Sequence, residues 1–77
     1  MKTFDEFVTL FAEQFDETET SQFTADTKFR ELDEWSSLIG LSLIAMIDEE
    51  FDVALNGSDF RQAATIEDLY NIVKSKL

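Results

Sequence analysis

The chain has no cysteine, no histidine and no proline, and only 2 glycines among its 77 residues. Lacking cysteine, it can build neither a disulfide framework nor a thiolate nucleophile. Lacking histidine, it is missing the usual general base at neutral pH and the commonest transition-metal ligand. Positive charge is also scarce, with 6 Lys and Arg against 17 Asp and Glu and a net charge of -11. Such a chain is repelled by phosphates, so nucleic acid and anionic membranes are poor partners and basic protein surfaces are good ones. No apolar run is long enough to span a bilayer, which argues against membrane insertion.

At this length a chain makes one domain, residues 1–77, with a small core and little material for a walled catalytic cleft. No catalytic residue is therefore expected. What the chain does have is apolar: 44% hydrophobic residues and 8 Phe are enough to fold it despite the charge, around a core rich in phenylalanine. The opening stretch MKTFDEFVTLFAEQF carries Asp5, Glu6 and Glu13 inside its apolar pattern, unlike a signal peptide, and a cytoplasmic protein is expected.

Periodicity places the helices. Phe4, Phe7, Val8, Phe11 and Phe15 fall on one helical face, predicting a helix from about Thr3 to about Phe15. Ile66, Leu69, Tyr70, Val73 and Leu77 repeat the pattern, with Thr65 as N-cap and Lys74 and Lys76 suited to the C-terminus. Residues 16–36 show no sustained period and read as a long loop anchored by Phe23, Phe29 and Leu32, a length that tends to be functional. Asn56-Gly57 reads as a turn after Val53, and Ser58 as the cap of a short helical turn through Phe60 to Ala63.

The stretch SSLIGLSLIAMIDEEF, residues 36–51, is apolar nearly all round. Projected at 100° per residue, Leu43, Ile44, Ile47 and Phe51 make a core stripe. Leu38, Leu41, Ser42, Ala45 and Glu49 lie opposite, flanked by Ser37 and Asp48, while Ile39, Met46 and Glu50 lie on a flank. In a domain this small two readings stand level: the long loop folds over Leu38 and Leu41, or that face awaits a partner. Ser36 and Ser37, taken alone, read as helix-starting residues. A serine nucleophile would need an activating base, and none of the four lysines is a sequence neighbour. The acids Asp48, Glu49, Glu50 and Asp52 lack the spacing and central glycine of a calcium loop, so they read as a solvated surface and no metal is expected.

In order along the chain come Phe29-x-x-Leu32, Ser37-Leu38, an apolar helix ending in Asp48-Glu49-Glu50-Phe51, and Thr65-Ile66-x-Asp68-Leu69. Together with the size, acidity and long first loop, they make the chain resemble an acyl carrier protein over nearly its whole length. The resemblance implies an all-α bundle of three longer helices and one short helix, with the long loop between helices one and two. In that family a serine followed by leucine at the start of the second helix carries a covalent 4'-phosphopantetheine arm. That position is Ser37, with Ser36 standing where aspartate is usual and serving as the cap.

The resemblance further implies that Leu38, Leu41 and Ala45 give an apolar contact to partner enzymes, with Asp48 and Glu49 meeting their basic residues. The opposite stripe would line a core where many relatives shelter the acyl chain. The expected partners are a phosphopantetheinyl transferase and the acyl-transferring and condensing enzymes of fatty-acid or related lipid and polyketide biosynthesis, acting on a monomer. Ile39 and Ser42 stand where many fatty-acid carriers are acidic, which points to a dedicated pathway. Two other readings stay open: an aminoacyl or peptidyl carrier, and an acidic adaptor domain whose Ser37 is unmodified.

Overall fold

Each helix begins where a short polar side chain takes up the orphan amides of the first turn. In the computed structural model, which describes residues 2–77, α1 spans Phe4–Ala12, α2 Ser37–Phe51, α3 Gly57–Gln62 and α4 Ile66–Ser75. Thr3, Asn56 and Thr65 each form a reciprocal capping box with the acid three residues on, Glu6, Asp59 and Asp68. Among the described residues the architecture is all-helical: three longer helices, one short helix and a long connection from α1 to α2.

Three details of the helix ends differ from the sequence reading. α1 ends at Ala12, because after Glu13 the Gln14 and Phe15 amides turn tighter, onto the Phe11 and Ala12 carbonyls, and this turn still brings Phe15 into the core. The short helix starts at Gly57 and is capped by Asn56 rather than Ser58, since Asp59 completes the box with Asn56; the Asn56-Gly57 pair opens a helix instead of making a turn. Leu77 does not join the α4 stripe: the helix stops at Ser75 and Leu77 is 61% exposed.

The core is built on aromatic rings. Phe7 meets Phe51 of α2 at 5.4 Å and Tyr70 of α4 at 5.2 Å between centroids, so one α1 residue joins three helices. Phe11 packs against Phe15, Phe23 and Phe29, which fastens the long loop to α1. Phe7, Phe11, Phe29, Leu43, Ile47, Ile66, Leu69 and Val73 are fully buried. From α2, Leu43, Ile47 and Phe51 are buried as the stripe requires, whereas Ile44 is half-buried and Met46, placed on a flank by projection, is buried. Val53, Leu55 and Ala63 are buried too, although no helical period marks them.

The long loop is ordered by hydrogen bonds to α4 and between its own two ends. It contains two single 3₁₀ turns, Thr20–Gln22 and Phe29–Glu31. The Ala25 and Thr27 carbonyls accept the Glu67 and Ile66 amides, two of the orphan donors of α4. At its far end Glu34 reaches back to its start: one carboxylate oxygen accepts from the Asp16 amide at 2.6 Å, the other from the Glu17 amide and from the Thr18 amide and hydroxyl at 2.8 to 3.0 Å. Partial burial works to raise the Glu34 pKa, but these donors outweigh it and hold the carboxyl below the usual glutamate value. The clamp sits two residues before Ser36, the cap of α2.

Candidate functional site at the start of α2

Ser36 and Ser37 are neighbours with separate places in the helix. Ser36 is extended, its Oγ accepts from the Ile39 amide at 3.3 Å, and its carbonyl takes the Gly40 amide at 3.0 Å. It is the N-cap. Ser37 is therefore the first residue of the helix, it is exposed, and the cap bond does not depend on its hydroxyl.

The charge around this helix end is unusual within the molecule. The first turns of α1, α3 and α4 each carry an acid, Asp5 and Glu6, Asp59, or Glu67 and Asp68, which offsets the positive end of the helix dipole. The first turn of α2 carries none. Its cap is an uncharged hydroxyl that satisfies Ile39, so the leading Ser37 and Leu38 amides and the dipole are left to a negatively charged group. A phosphodiester on a first-turn hydroxyl fits this donor set.

From Ser37 the exposed face of α2 runs down to its acidic end. Leu38 is 72% and Leu41 64% exposed, so the long loop leaves this face uncovered. Ala45, Asp48 and Glu49 are exposed on the same side, and Ser42 is half-buried. The sequence-predicted residues Ser37, Leu38, Leu41, Ala45, Asp48 and Glu49 thus lie together on one accessible strip. Sequence reasoning had no role for Trp35, Gly40, Gly57 and Phe60, which with Ser37, Leu41 and Ile44 line a groove of about 270 Å³ between α2 and α3. Its one legible signal is a single tryptophan two residues before Ser37.

Residues 5–73 match the family described as the phosphopantetheine attachment site. The chain belongs to that family. It is accordingly a carrier domain for covalent 4'-phosphopantetheine, and the match runs from within α1 to within α4, taking in α2, α3 and the loop between the first two helices. A comparison with curated proteins finds no significant match. Among the described residues no helix is long and apolar enough to cross a membrane.

Proposed function

We propose that this carrier domain is an acyl carrier whose arm is attached to Ser37, and that it delivers acyl thioesters to partner enzymes of fatty-acid or related lipid and polyketide biosynthesis. The observation that supports attachment at Ser37 is its geometry: an exposed hydroxyl on the first residue of a helix whose cap is made by its neighbour and whose first turn holds no acid; the acyl cargo rests on the resemblance. When bound, the arm supplies a terminal thiol that holds the acyl group as a thioester. The chain's own part is to present the hydroxyl, to steady the phosphodiester with the α2 amides and dipole, and to offer a docking strip.

Loading needs the Ser37 hydroxyl to give up its proton as its oxygen bonds to the pantetheine-side phosphorus of coenzyme A, while the pyrophosphate bond breaks and adenosine 3',5'-bisphosphate leaves. The chain has no histidine to take that proton, so the base belongs to the phosphopantetheinyl transferase, and the domain is its substrate rather than an enzyme. Leu38, Leu41 and Ala45 provide an apolar anchor for that enzyme and for later partners. Asp48 and Glu49 provide the charge that meets their basic surfaces. The domain works as a cytoplasmic monomer.

Intact mass after incubation with coenzyme A and a phosphopantetheinyl transferase tests this reading. The wild-type chain should gain one arm, Ser37→Ala none, and Ser36→Ala should still be loaded although its helix has lost its cap. Peptide mapping that put the arm on Ser36, or no loading under conditions that load a control carrier, would overturn the assignment and leave the acidic adaptor reading.

A further inference from the structure

Glu34 is the acid nearest to Ser37 in sequence, and its carboxylate is bound to the other end of the long loop. Its Oε2 accepts from the Asp16 amide at 2.6 Å, and its Oε1 accepts from the Glu17 amide at 3.0 Å, the Thr18 amide at 2.9 Å and the Thr18 hydroxyl at 2.8 Å. Three successive backbone amides converging on one carboxylate form a nest for an anion, and here an internal residue fills it. Partial burial works against the charge, but these donors hold the carboxyl below the usual glutamate value, so at neutral pH it is ionised and acts purely as an acceptor. Charge-assisted bonds of this kind are stronger than neutral ones.

Both ends of the clamp are anchored. On the α1 side the buried Phe15 ring stacks on Phe11 and packs on Phe23, so the amides that follow it are carried by the core. On the α2 side the Trp35 amide donates to the Leu32 carbonyl at 3.0 Å, which makes Asp33 and Glu34 the middle of a turn, and the Trp35 ring packs on Phe29 at 5.3 Å. Ser36, the cap, and Ser37 follow directly. The clamp closes residues 16–34 into a ring and removes freedom that the chain ahead of α2 would otherwise keep. We propose that Glu34 is a positioning residue for loading: it holds the backbone ahead of α2 so that Ser37 is presented in one place, and it keeps its own charge off the Ser37 and Leu38 amides. The proposal rests on the reading that Ser37 carries the arm. A released Glu34 would compete with the phosphodiester for the open end of α2. Leu38, Leu41 and Ala45 take no part in the clamp, so its loss should slow the reaction without weakening docking.

The experiment follows loading of the whole chain by intact mass at saturating coenzyme A, varies the carrier concentration to separate kcat from KM, and checks folded content by circular dichroism. Glu34→Ala should still reach full loading, with kcat down by about ten- to a hundredfold and KM within about twofold of wild type. Glu34→Gln keeps one acceptor oxygen for Glu17 and Thr18 but turns a donor toward the Asp16 amide, so its kcat should fall between wild type and Glu34→Ala. Thr18→Val removes only the hydroxyl donor and should lower kcat by about two- to tenfold, the range of one hydrogen bond. Asp33→Ala, at an exposed acid beside Glu34, should leave both constants unchanged. Amide exchange gives a readout that needs no enzyme. The Ile39 and Gly40 amides, bonded to Ser36, should quicken in Glu34→Ala by a larger factor than the Ile47 amide, which reports opening of the whole fold.

Wild-type kcat in Glu34→Ala, a rise in KM that accounts for the whole loss, or a loss that disappears when rates are scaled to the folded fraction would overturn the positioning role while leaving the arm on Ser37. Equal exchange factors for Ile39, Gly40 and Ile47 would do the same. If Glu34→Ala does not fold, Glu34→Gln and Thr18→Val decide on the same criteria. No mass gain in the wild-type chain, or an arm mapped to another residue, would instead remove the Ser37 reading and the role of the clamp with it.

Discussion

α2 and α4 are both apolar helices packed on the same core, yet they spend their apolar residues differently. In α4 the large apolar side chains Ile66, Leu69 and Val73 are buried, Tyr70 and Ile72 are half-buried, and the rest of the surface is polar. In α2 Leu43, Met46, Ile47 and Phe51 are buried, but Leu38 and Leu41 face outward. Their N-termini differ in the same sense. α4 closes on itself with the Thr65–Asp68 box and an acid in its first turn, whereas α2 has only the neutral Ser36 cap. A helix needed only for the fold satisfies its own ends and hides its apolar stripe. The unspent leucines and uncompensated amides of α2 are the features on which its proposed role in meeting partners rests.

The largest effects should separate core from surface. Ile47→Ala in α2 and Leu69→Ala in α4 each remove a fully buried side chain and should destabilise the fold by about 2–5 kcal/mol, as large-to-small core changes do. Leu41→Ala should cost well under half of that in chemical denaturation, because its side chain has few neighbours to lose, and should instead slow loading by the transferase. Equal destabilisation by Leu41→Ala and Ile47→Ala would erase the distinction between the two faces.

The caps give a mid-sized contrast. Thr65→Ala and Ser36→Ala should each cost about 1 kcal/mol, the usual value of an N-cap hydroxyl, read from denaturation midpoints. Acid should tell the two apart. Amides of Ala64 and Thr65, helped by the Thr65 hydroxyl, hold the Asp68 carboxyl below the ordinary aspartate value of 3.8 against partial desolvation. A carboxyl with a lower pKa folded than unfolded binds its proton later in the native state. Its contribution is therefore complete above 3.8 and is lost as pH falls through the lower folded value. The Ala64 and Thr65 amide resonances should move with a midpoint below 3.8, and a midpoint at or above it would contradict the box. The Ile39 amide, held by a hydroxyl, should not share that transition.

How far the sequence could be read follows from the same contrast. α1 was legible from its regular apolar period and α4 from its period together with the Thr65 cap, and α2 was legible as two faces because 100° projection separates Leu41 from Ile47. The end of α1 and the cap of α3 were not, since a box between Asn56 and Asp59 competes with a cap at Ser58 and only the bonded geometry decides. Val53, Leu55 and Ala63 are buried by the connection between helices, which has no period to detect. Ser37 is proposed through the resemblance, by its following leucine and its helix start. The groove was missed because Trp35, Gly40, Gly57 and Phe60 come from three parts of the chain that only packing brings together.

The smallest effects on stability, and the sharpest on recognition, belong to the acidic end of α2. Asp48 and Glu49 are exposed, so Asp48→Lys and Glu49→Lys should change stability by no more than about 0.5 kcal/mol. The direction should be toward greater stability, since each reversal reduces a net charge of -11 on a small surface. Added salt should raise the melting temperature of the wild-type chain for the same reason, and raise it less in the double reversal. Association with the transferase should respond in the opposite way. Charge at the edge of an apolar anchor steers encounter, so the reversals should lower the association rate at low salt and flatten its salt dependence. Stopped-flow binding across a salt series makes the comparison. Equivalent reversals of Glu67, exposed in the first turn of α4, should leave that rate unchanged, and an equal loss there would show that bulk charge rather than the α2 strip guides the partner.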